Sequence, residues 1–319
     1  MGQNEPRIVV VGSSNADLVV KAPRIPAVGE TILGEEFIMT PGGKGANQAV
    51  AAAKLGAEVY LVAKLGEDVF AKQSLENFER EGVRTDYVTR TAEAPSGVAL
   101  ITVDRAGNNV IVVAAGANGR LSPQDVDKAR DAIVSSGALV AQLEVPLETV
   151  ECAAHLAHGS GVPFILDPAP ARKLPPELLR MVSVLKPNET EAQILTGVKI
   201  VDEHSARVAA QQLLNCGVKA VVLTMGAKGF LLATADGAEL VPAVRVKAVD
   251  ATAAGDAFTG SLAVGVAQGK TLREAASFAN HAAALSVTKL GAQSSMPTRQ
   301  EVESFIRRRS AQGVNDEKA

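Results

Sequence analysis

Residues 1–310 of this 319-residue chain are expected to form one α/β domain: a central, mostly parallel sheet with helices on both faces, plus a small β-sheet lid. Three features point that way. From about Ser122 onward, short apolar runs alternate with helix-compatible segments, which is the rhythm of βα units. Two stretches, 18–40 and the hairpin from Gly97 to Ala114, stand outside that rhythm, rich in β-branched residues and glycines, and these are assigned to the lid. The hydrophobic content of 47% is ample for the core of one large domain.

Composition also excludes function classes. The formal charge of −3 gives no electrostatic reason to bind nucleic acid or an acidic membrane. With no tryptophan and 3% aromatics, stacking platforms for single strands are not expected. Cys152 and Cys216 lack metal spacing and read as reduced thiols, with a single disulfide left open. The apolar run Ile8 to Val11 is too short for a signal peptide, and no segment approaches a membrane span. The expected location is the cytoplasm.

Arg7 to Gly12 reads as a buried first strand ending in a glycine-serine turn. Asn15 and Asp17 follow at its carboxyl end, where open α/β sheets place ligands; an ordinary Asx turn is the plain alternative. Pro41-Gly42-Gly43-Lys44-Gly45-Ala46-Asn47-Gln48 then opens a helix to about Leu55, with Gly56 as its cap. The glycines let backbone approach a ligand closely, and Lys44 and Asn47 add a cation and an amide for hydroxyls. Neither a Walker A loop nor GxGxxG is present, since Gln48 stands where a third glycine would. A strand over Glu58 to Ala63 and a helix over 68–81 come next, then a hairpin from Gly97 to Ala114.

A helix over 122–135 leads to the strand Ala138 to Leu143, which ends in Glu144, a ligand candidate or a solvated loop acid. Helix 147–158 carries His155 and His158 without the HExxH pattern, so both read as surface residues. The strand Pro163 to Leu166 ends in the rigid loop Asp167-Pro168-Ala169-Pro170. After the strand Val182 to Lys186, Asn188 and Glu191 have capping-box spacing; a functional reading turns them toward phosphates and Mg²⁺-bound water. Spacing alone favours the cap. The strand Ala220 to Leu223 ends in a glycine turn from Thr224 through Gly226 to Gly229, and Asp236-Gly237 marks a β-turn. Further helices are expected near 257–267, from Leu272 to about Thr288 and over 298–309, with a polar disordered tail at 311–319.

The chain's organising stretch is Val249-Asp250-Ala251-Thr252-Ala253-Ala254-Gly255-Asp256-Ala257-Phe258-Thr259-Gly260. Small residues at a helix start leave backbone N–H groups and partial positive charge for an anion. A carboxylate there would oppose a phosphate unless it has its own task. The task that fits is taking the proton of a hydroxyl that attacks the phosphate, although a capped helix behind a small-residue turn shares the pattern.

These residues resemble the ribokinase family of sugar kinases, the phosphofructokinase-B type. The resemblance rests on Gly42-Gly43-Lys44-Gly45-Ala46-Asn47 with Gly56 and Gly66, on Asp250 through Asp256, and on Asn188 to Glu191, and it spans roughly residues 7–306. It implies a ribokinase-like αβα fold, a small β lid formed by about 15–42 and 95–117, and transfer of a phosphoryl group from ATP to a sugar's primary hydroxyl. Asp256 would be the general base, and the amides of Ala253, Ala254, Gly255 and Asp256 the anion hole. Asn15, Asp17, Gly43, Lys44, Asn47 and Glu144 match sugar-binding positions. Asn188, Glu191, Thr224, Gly226, Gly229, Gly255 and Asn280 match positions around MgATP. Asp250, Thr252, Ser286, Lys289, Gly291 and Ser295 match a monovalent-cation site for K⁺, built mostly from backbone carbonyls. Ala251 departs from the usual Thr, Ser, Val or Pro, but its carbonyl remains. A homodimer through the lid is also implied.

Within the family, Asn15, Asp17 and Glu144 favour ribose, phosphorylated at O5, over 2-deoxyribose, another sugar or a nucleoside. An adenosine pocket would call for aromatics that this chain largely lacks. A non-catalytic sugar sensor on the same fold would need neither Asp256 nor the glycine-rich anion hole. A nicotinamide dehydrogenase would need GxGxxG where Gly12-Ser13-Ser14-Asn15 stands.

Overall fold

A computed structural model describes residues 5–316. The buried run Arg7–Val11 forms β1 at the centre of the molecule. The chain then leaves the main sheet as β2 (Asn15–Lys21) and β3 (Glu36–Gly42) before entering α1 (Lys44–Lys54). It returns through β4 (Glu58–Gly66), α2 (Val69–Arg80) and β5 (Val83–Thr91), and leaves again as β6 (Gly97–Val103) and β7 (Asn109–Ala114). The expected 122–135 helix is two pieces, α3 (Pro123–Lys128) and α4 (Arg130–Val134), because Ala129 adopts φ −92 and ψ 8 between them.

Regular alternation follows: β8 (Ala138–Ala141), α5 (Leu147–Ser160), β9 (Phe164–Leu166), α6 (Pro176–Met181), β10 (Val184–Leu185), α7 (Glu189–Thr196), α8 (Glu203–Asn215) and β11 (Ala220–Thr224). A hairpin of β12 (Phe230–Thr234) and β13 (Gly237–Val241) precedes α9 (Ala254–Ala267), α10 (Leu272–Ser286) and α11 (Arg299–Asp316). Helix α11 runs past residue 311, where a disordered tail was expected; 317–319 lie outside the described residues.

The nine-stranded sheet has the order β13-β12-β11-β10-β9-β8-β1-β4-β5. All its pairings are parallel except the two at the β12–β13 edge. Strand residues alternate between two apolar layers, as a buried pleat requires. Ile8 and Val10 pack with α1, α9 and α10, while Val9 and Val11 pack with α3, α4 and α5. From β1 the chain proceeds to β4 on one side and later to β8 on the other. This switch opens a crevice at the carboxyl ends of the strands. The separate four-stranded sheet, ordered β3-β2-β6-β7, stands over that crevice, with antiparallel outer pairs and a parallel β2–β6 centre. Among the described residues, no helix is long and apolar enough to cross a membrane.

Candidate active site

Helix α9 begins one turn earlier than its apolar run suggests, at Ala254, so Asp256 lies in its first turn. Ala253, the N-cap, is the only non-glycine residue with positive φ among the described residues (φ 58, ψ 15). An L-residue there costs about 1 kcal/mol, and the tight turn around it sustains the cost. That turn also corrects one expectation. The Ala254 N–H donates to the Ala251 carbonyl at 3.2 Å, so it belongs to the turn and not to an anion. The amides of Gly255 and Asp256 lie where an α-helix supplies no acceptor of its own, and both residues line the cavity described below.

Asp256 is buried and held from two sides. Asn47 Nδ2 donates to Oδ2 and Gln48 Nε2 donates to Oδ1, each at 2.9 Å. Both donors come from α1, whose Gly45 leaves no room for a Cβ against Gly12 and Ser13. Each carboxylate oxygen keeps a lone pair for an incoming proton. Burial pushes the Asp256 pKa up, the Lys44 ammonium opposes this, and the Asp167 carboxylate adds to the rise. Lys44 is half-buried. Burial would lower its pKa, but Asp256, Asp167, Glu144 and Glu191 together raise it, so it stays an ammonium.

On the lid side, the Asp17 carboxylate packs on Gly42, where a Cβ would overlap it. Burial, then the Glu144 and Asp256 charges, raise its pKa to about 7. Asn15 accepts from Asn118 Nδ2 at 2.7 Å, which leaves its own NH₂ to donate. Glu144 accepts from the Ser13 hydroxyl and from the Lys44 amide at 3.1 Å, and so anchors the glycine loop at Gly43. Asn47 differs from its expected role, because both ends of its amide are engaged, Oδ1 with Gln293 Nε2 at 3.0 Å and Nδ2 with Asp256. It serves the carboxylate more than a sugar hydroxyl.

A cavity of about 980 Å³ opens on the other side of Asp256. Asn188, Glu191, Thr224, Gly226, Gly229, Gly255 and Asn280 all line it, as the sequence pattern expected of a nucleotide site. The capping box is real: Glu191 N donates to Asn188 Oδ1, and Asn188 N donates to Glu191 Oε2, both at 2.8 Å. The cap does not exhaust Glu191, whose pKa is raised by burial and by Asp167 against the pull of Lys186 and Lys44. Asn280 Nδ2 donates to the Pro242 carbonyl at 2.9 Å and so fixes the 242–248 wall of the cavity.

The segments matching a cation site also meet. Val249 and Asp250 amides donate to the Val287 carbonyl, and Gly291 N donates to Asp250 Oδ2 at 2.9 Å. Asp250 Oδ1 accepts from the Thr252 amide and hydroxyl. Burial alone would raise the Asp250 pKa, but these bonds hold it down. Ser286 and Ser295 hydroxyls turn to the Ala283 and Ala292 carbonyls, and Lys289 pairs with Glu301 at 2.7 Å. The Ser286 and Ser295 hydroxyls spend their hydrogens on those carbonyls, and the Lys289 ammonium has no lone pair to offer a cation.

Sequence reading passed over a buried pair at the floor of the cavity. Lys186 Nζ donates to Asp167 Oδ2 at 3.0 Å and reaches the Gly255 carbonyl at 3.4 Å. Gln48 Nε2 bridges Asp167 and Asp256, and Gln142 in turn holds Gln48. The Asp167 Oδ1 atom is buried without a hydrogen-bond partner, in a residue that lines the cavity. The signal was available: both are charged residues at strand carboxyl ends, the rule that selected Glu144.

The model of the pfkB family carbohydrate kinases matches residues 5–299. The chain is 43% identical to a ribokinase of Haemophilus influenzae over 299 residues, covering 94% of this chain and 98% of that one. It is 41% identical to a deoxyribokinase of Salmonella typhi over 300 residues, covering 94% and 98%. A solved ribokinase of Arabidopsis thaliana, complexed with ribose and ATP, superposes with a TM-score of 0.88 at 35% identity, covering 94% of this chain and 98% of that one.

Proposed function

The chain belongs to the pfkB family of carbohydrate kinases, and from that premise we propose that it transfers the γ-phosphoryl group of ATP to O5 of D-ribose. The products are ribose 5-phosphate and ADP. The observation that carries this reading is Asp256, buried and doubly anchored between the lid-side polar cluster and the 980 Å³ cavity. A hydroxyl placed against its free lone pairs gives up its proton as the oxygen attacks phosphorus. The bond from the γ-phosphorus to the bridging oxygen breaks, and that oxygen leaves on ADP. Charge that develops on the transferring group meets the Gly255 and Asp256 amides and the Lys44 ammonium. Placement more than basicity sets the rate, because proton transfer accompanies a loose displacement.

Asp17 offers two carboxylate oxygens to neighbouring sugar hydroxyls, and Asn15 adds an NH₂ donor. Likeness to a deoxyribokinase keeps 2-deoxyribose as the competing substrate; the Asn15 donor favours a sugar with its full set of hydroxyls. Among the described residues, no cluster of three or more His, Cys, Asp or Glu is arranged to grip a metal. Mg²⁺ would be carried by ATP phosphates and water, with the Glu191 and Asp167 carboxylates lining the cavity as protein acceptors, and would neutralise phosphate charge. K⁺ would be held by backbone oxygens of 250–252 and 286–295, segments joined by the Val287 carbonyl and the Asp250 carboxylate, and would stiffen the turn that carries Ala253.

We also assign homodimerisation to the lid. The strand register sets Met39, Leu18, Leu100 and Val112 in one row and Phe37, Val20, Thr102 and Val110 in the next, all on the face opposite Asp17. Phe37 is 62% exposed and Val112 60%, so this sheet face lacks a cover among the described residues. The free thiols of Cys152 and Cys216 suit a cytoplasmic setting.

The test is an ADP-release assay with MgATP, with and without KCl, offering ribose, 2-deoxyribose, fructose or adenosine at equal concentration. The expected result is the highest turnover with ribose and stimulation by K⁺. Faster turnover of another acceptor would overturn the sugar assignment. No turnover despite sugar binding would point to the sensor.

A further inference from the structure

We propose that Gln293 and Asn77 are positioning residues for the catalytic carboxylate, acting through Asn47 as a one-way chain of amides that begins at Arg80. The inference rests on the base role of Asp256 stated above. Arg80 Nη2 donates to Asn77 Oδ1. Asn77 Nδ2 donates to Gln293 Oε1 at 2.6 Å, Gln293 Nε2 to Asn47 Oδ1 at 3.0 Å, and Asn47 Nδ2 to Asp256 Oδ2 at 2.9 Å. The three amides are 4%, 3% and 6% exposed, so water does not compete for these bonds.

The direction of the chain is fixed at both ends. A guanidinium can only donate, and an ionised carboxylate can only accept. Flipping any one amide would set two donors or two acceptors face to face, and flipping all three would turn an amide oxygen on Asp256. Hydrogen bonds aligned head to tail polarise one another, and low local polarity strengthens the effect. The chain therefore does two things that packing alone would not. It locks the Asp256 rotamer against the direction of hydroxyl approach, and it stabilises the ionised base from a cation two elements away.

The route is also independent of Gln48, which reaches Asp256 Oδ1 from the opposite side. It draws its members from α2, α1 and the helical turn Gln293–Ser295. Other charges that face Asp256 are Lys44 from α1, Asp167 after β9 and Asp17 from β2, with Glu144 and Glu191 acting on the same Lys44. None of these is altered by changes at positions 293 and 77.

The test compares wild type, Gln293→Met and Asn77→Asp in steady-state kinetics from pH 5.5 to 9, together with thermal unfolding. Gln293→Met keeps volume and removes both bonds. The expected result is a kcat lower by about tenfold, a ribose KM within about twofold, and an acid limb of the kcat profile moved to higher pH. Asn77→Asp keeps shape and pairs with Arg80, but it sets a carboxylate oxygen against Gln293 Oε1 where a donor stood, so its unfolding temperature is read beside that of Gln293→Met. A kcat several-fold lower in Asn77→Asp, measured well below its unfolding temperature, is the signature of the directed chain. Wild-type kcat and acid limb in Asn77→Asp would reduce the chain to a structural network and overturn the inference. A wild-type kcat in Asp256→Asn would remove the base itself, and the inference would fall with it; that result is read on a separate variant, so the two failures are distinguishable.

Discussion

Ribose binding should carry a proton signature from one residue, Asp17. Its carboxyl lies against Gly42 with Glu144 and Asp256 nearby, and its pKa is raised to about 7. An unfolded chain ionises the same group near pH 4, so the fold holds this proton more tightly and loses stability as pH rises between about 4 and 7. Two adjacent sugar hydroxyls that both donate need two accepting oxygens, which only the ionised form provides. Binding must then displace the proton, and the apparent Kd is the intrinsic value multiplied by one plus the ratio of protonated to ionised Asp17. That factor is about 11 at pH 6 and about 1.1 at pH 8, so affinity should weaken about tenfold between them. Calorimetry of ribose binding without nucleotide, in buffers of differing ionisation heat, reads both the affinity change and the proton released near pH 6. Asp17→Asn keeps the shape and removes the titration, so its weaker binding should be flat across the same range. A wild-type affinity independent of pH, or no proton release at pH 6, would refute the argument.

Asp256→Asn should retain ribose binding and lower kcat by about 10²-fold or more, since geometry survives but no proton acceptor remains; isothermal binding and single-turnover rates check the two halves. Lys186→Met strands the buried Asp167 carboxylate and should cost about 3–5 kcal/mol in urea unfolding at pH 7.5. A loss below about 1 kcal/mol would mean that the pair contributes little to the fold. Val112→Glu places a charge in the middle of the exposed lid face and should convert a dimer to a monomer in light scattering, with the core's unfolding temperature unchanged. An unaltered mass would move the dimer contact elsewhere.

What was legible in the sequence was local. The 41–48 and 249–260 segments announce themselves because a backbone that must approach a ligand closely tolerates few side chains: a Cβ at Gly43 or Gly45 would strike the turn after β1. The capping box of Asn188 and Glu191 is likewise a four-residue affair. Of the elements passed over, β5 lacks such punctuation and takes its identity from packing, whereas β12 and β13 flank the Asp236-Gly237 turn and α8 starts at a capping box of Asp202 and Ser205. Helix 122–135 was read through because nothing in its composition marks the break at Ala129.

The polar interior was hidden for a different reason. Asp167 and Lys186 are separated by 19 positions, and Gln48 lies 119 from Asp167. Gln293 lies 246 from Asn47. Each of these residues, read alone, is an ordinary loop or helix polar group. Their meaning arises when the chain, having reached the sheet edge at β5, returns to lay β8 beside β1 and so brings the carboxyl ends of the central strands together. The positions that sequence reading assigned to the sugar and the nucleotide stand on the two open sides of Asp256. Those it missed, Gln48, Gln142, Asp167, Lys186, Asn77 and Gln293, form the closed sides. A carboxylate kept dry enough to act as a base needs such neighbours, because an unpaired charge in this setting would take up a proton instead. The visible motifs therefore carry the binding positions proposed above, and the scattered amides supply the surroundings in which the proposed base would be held ionised and aimed.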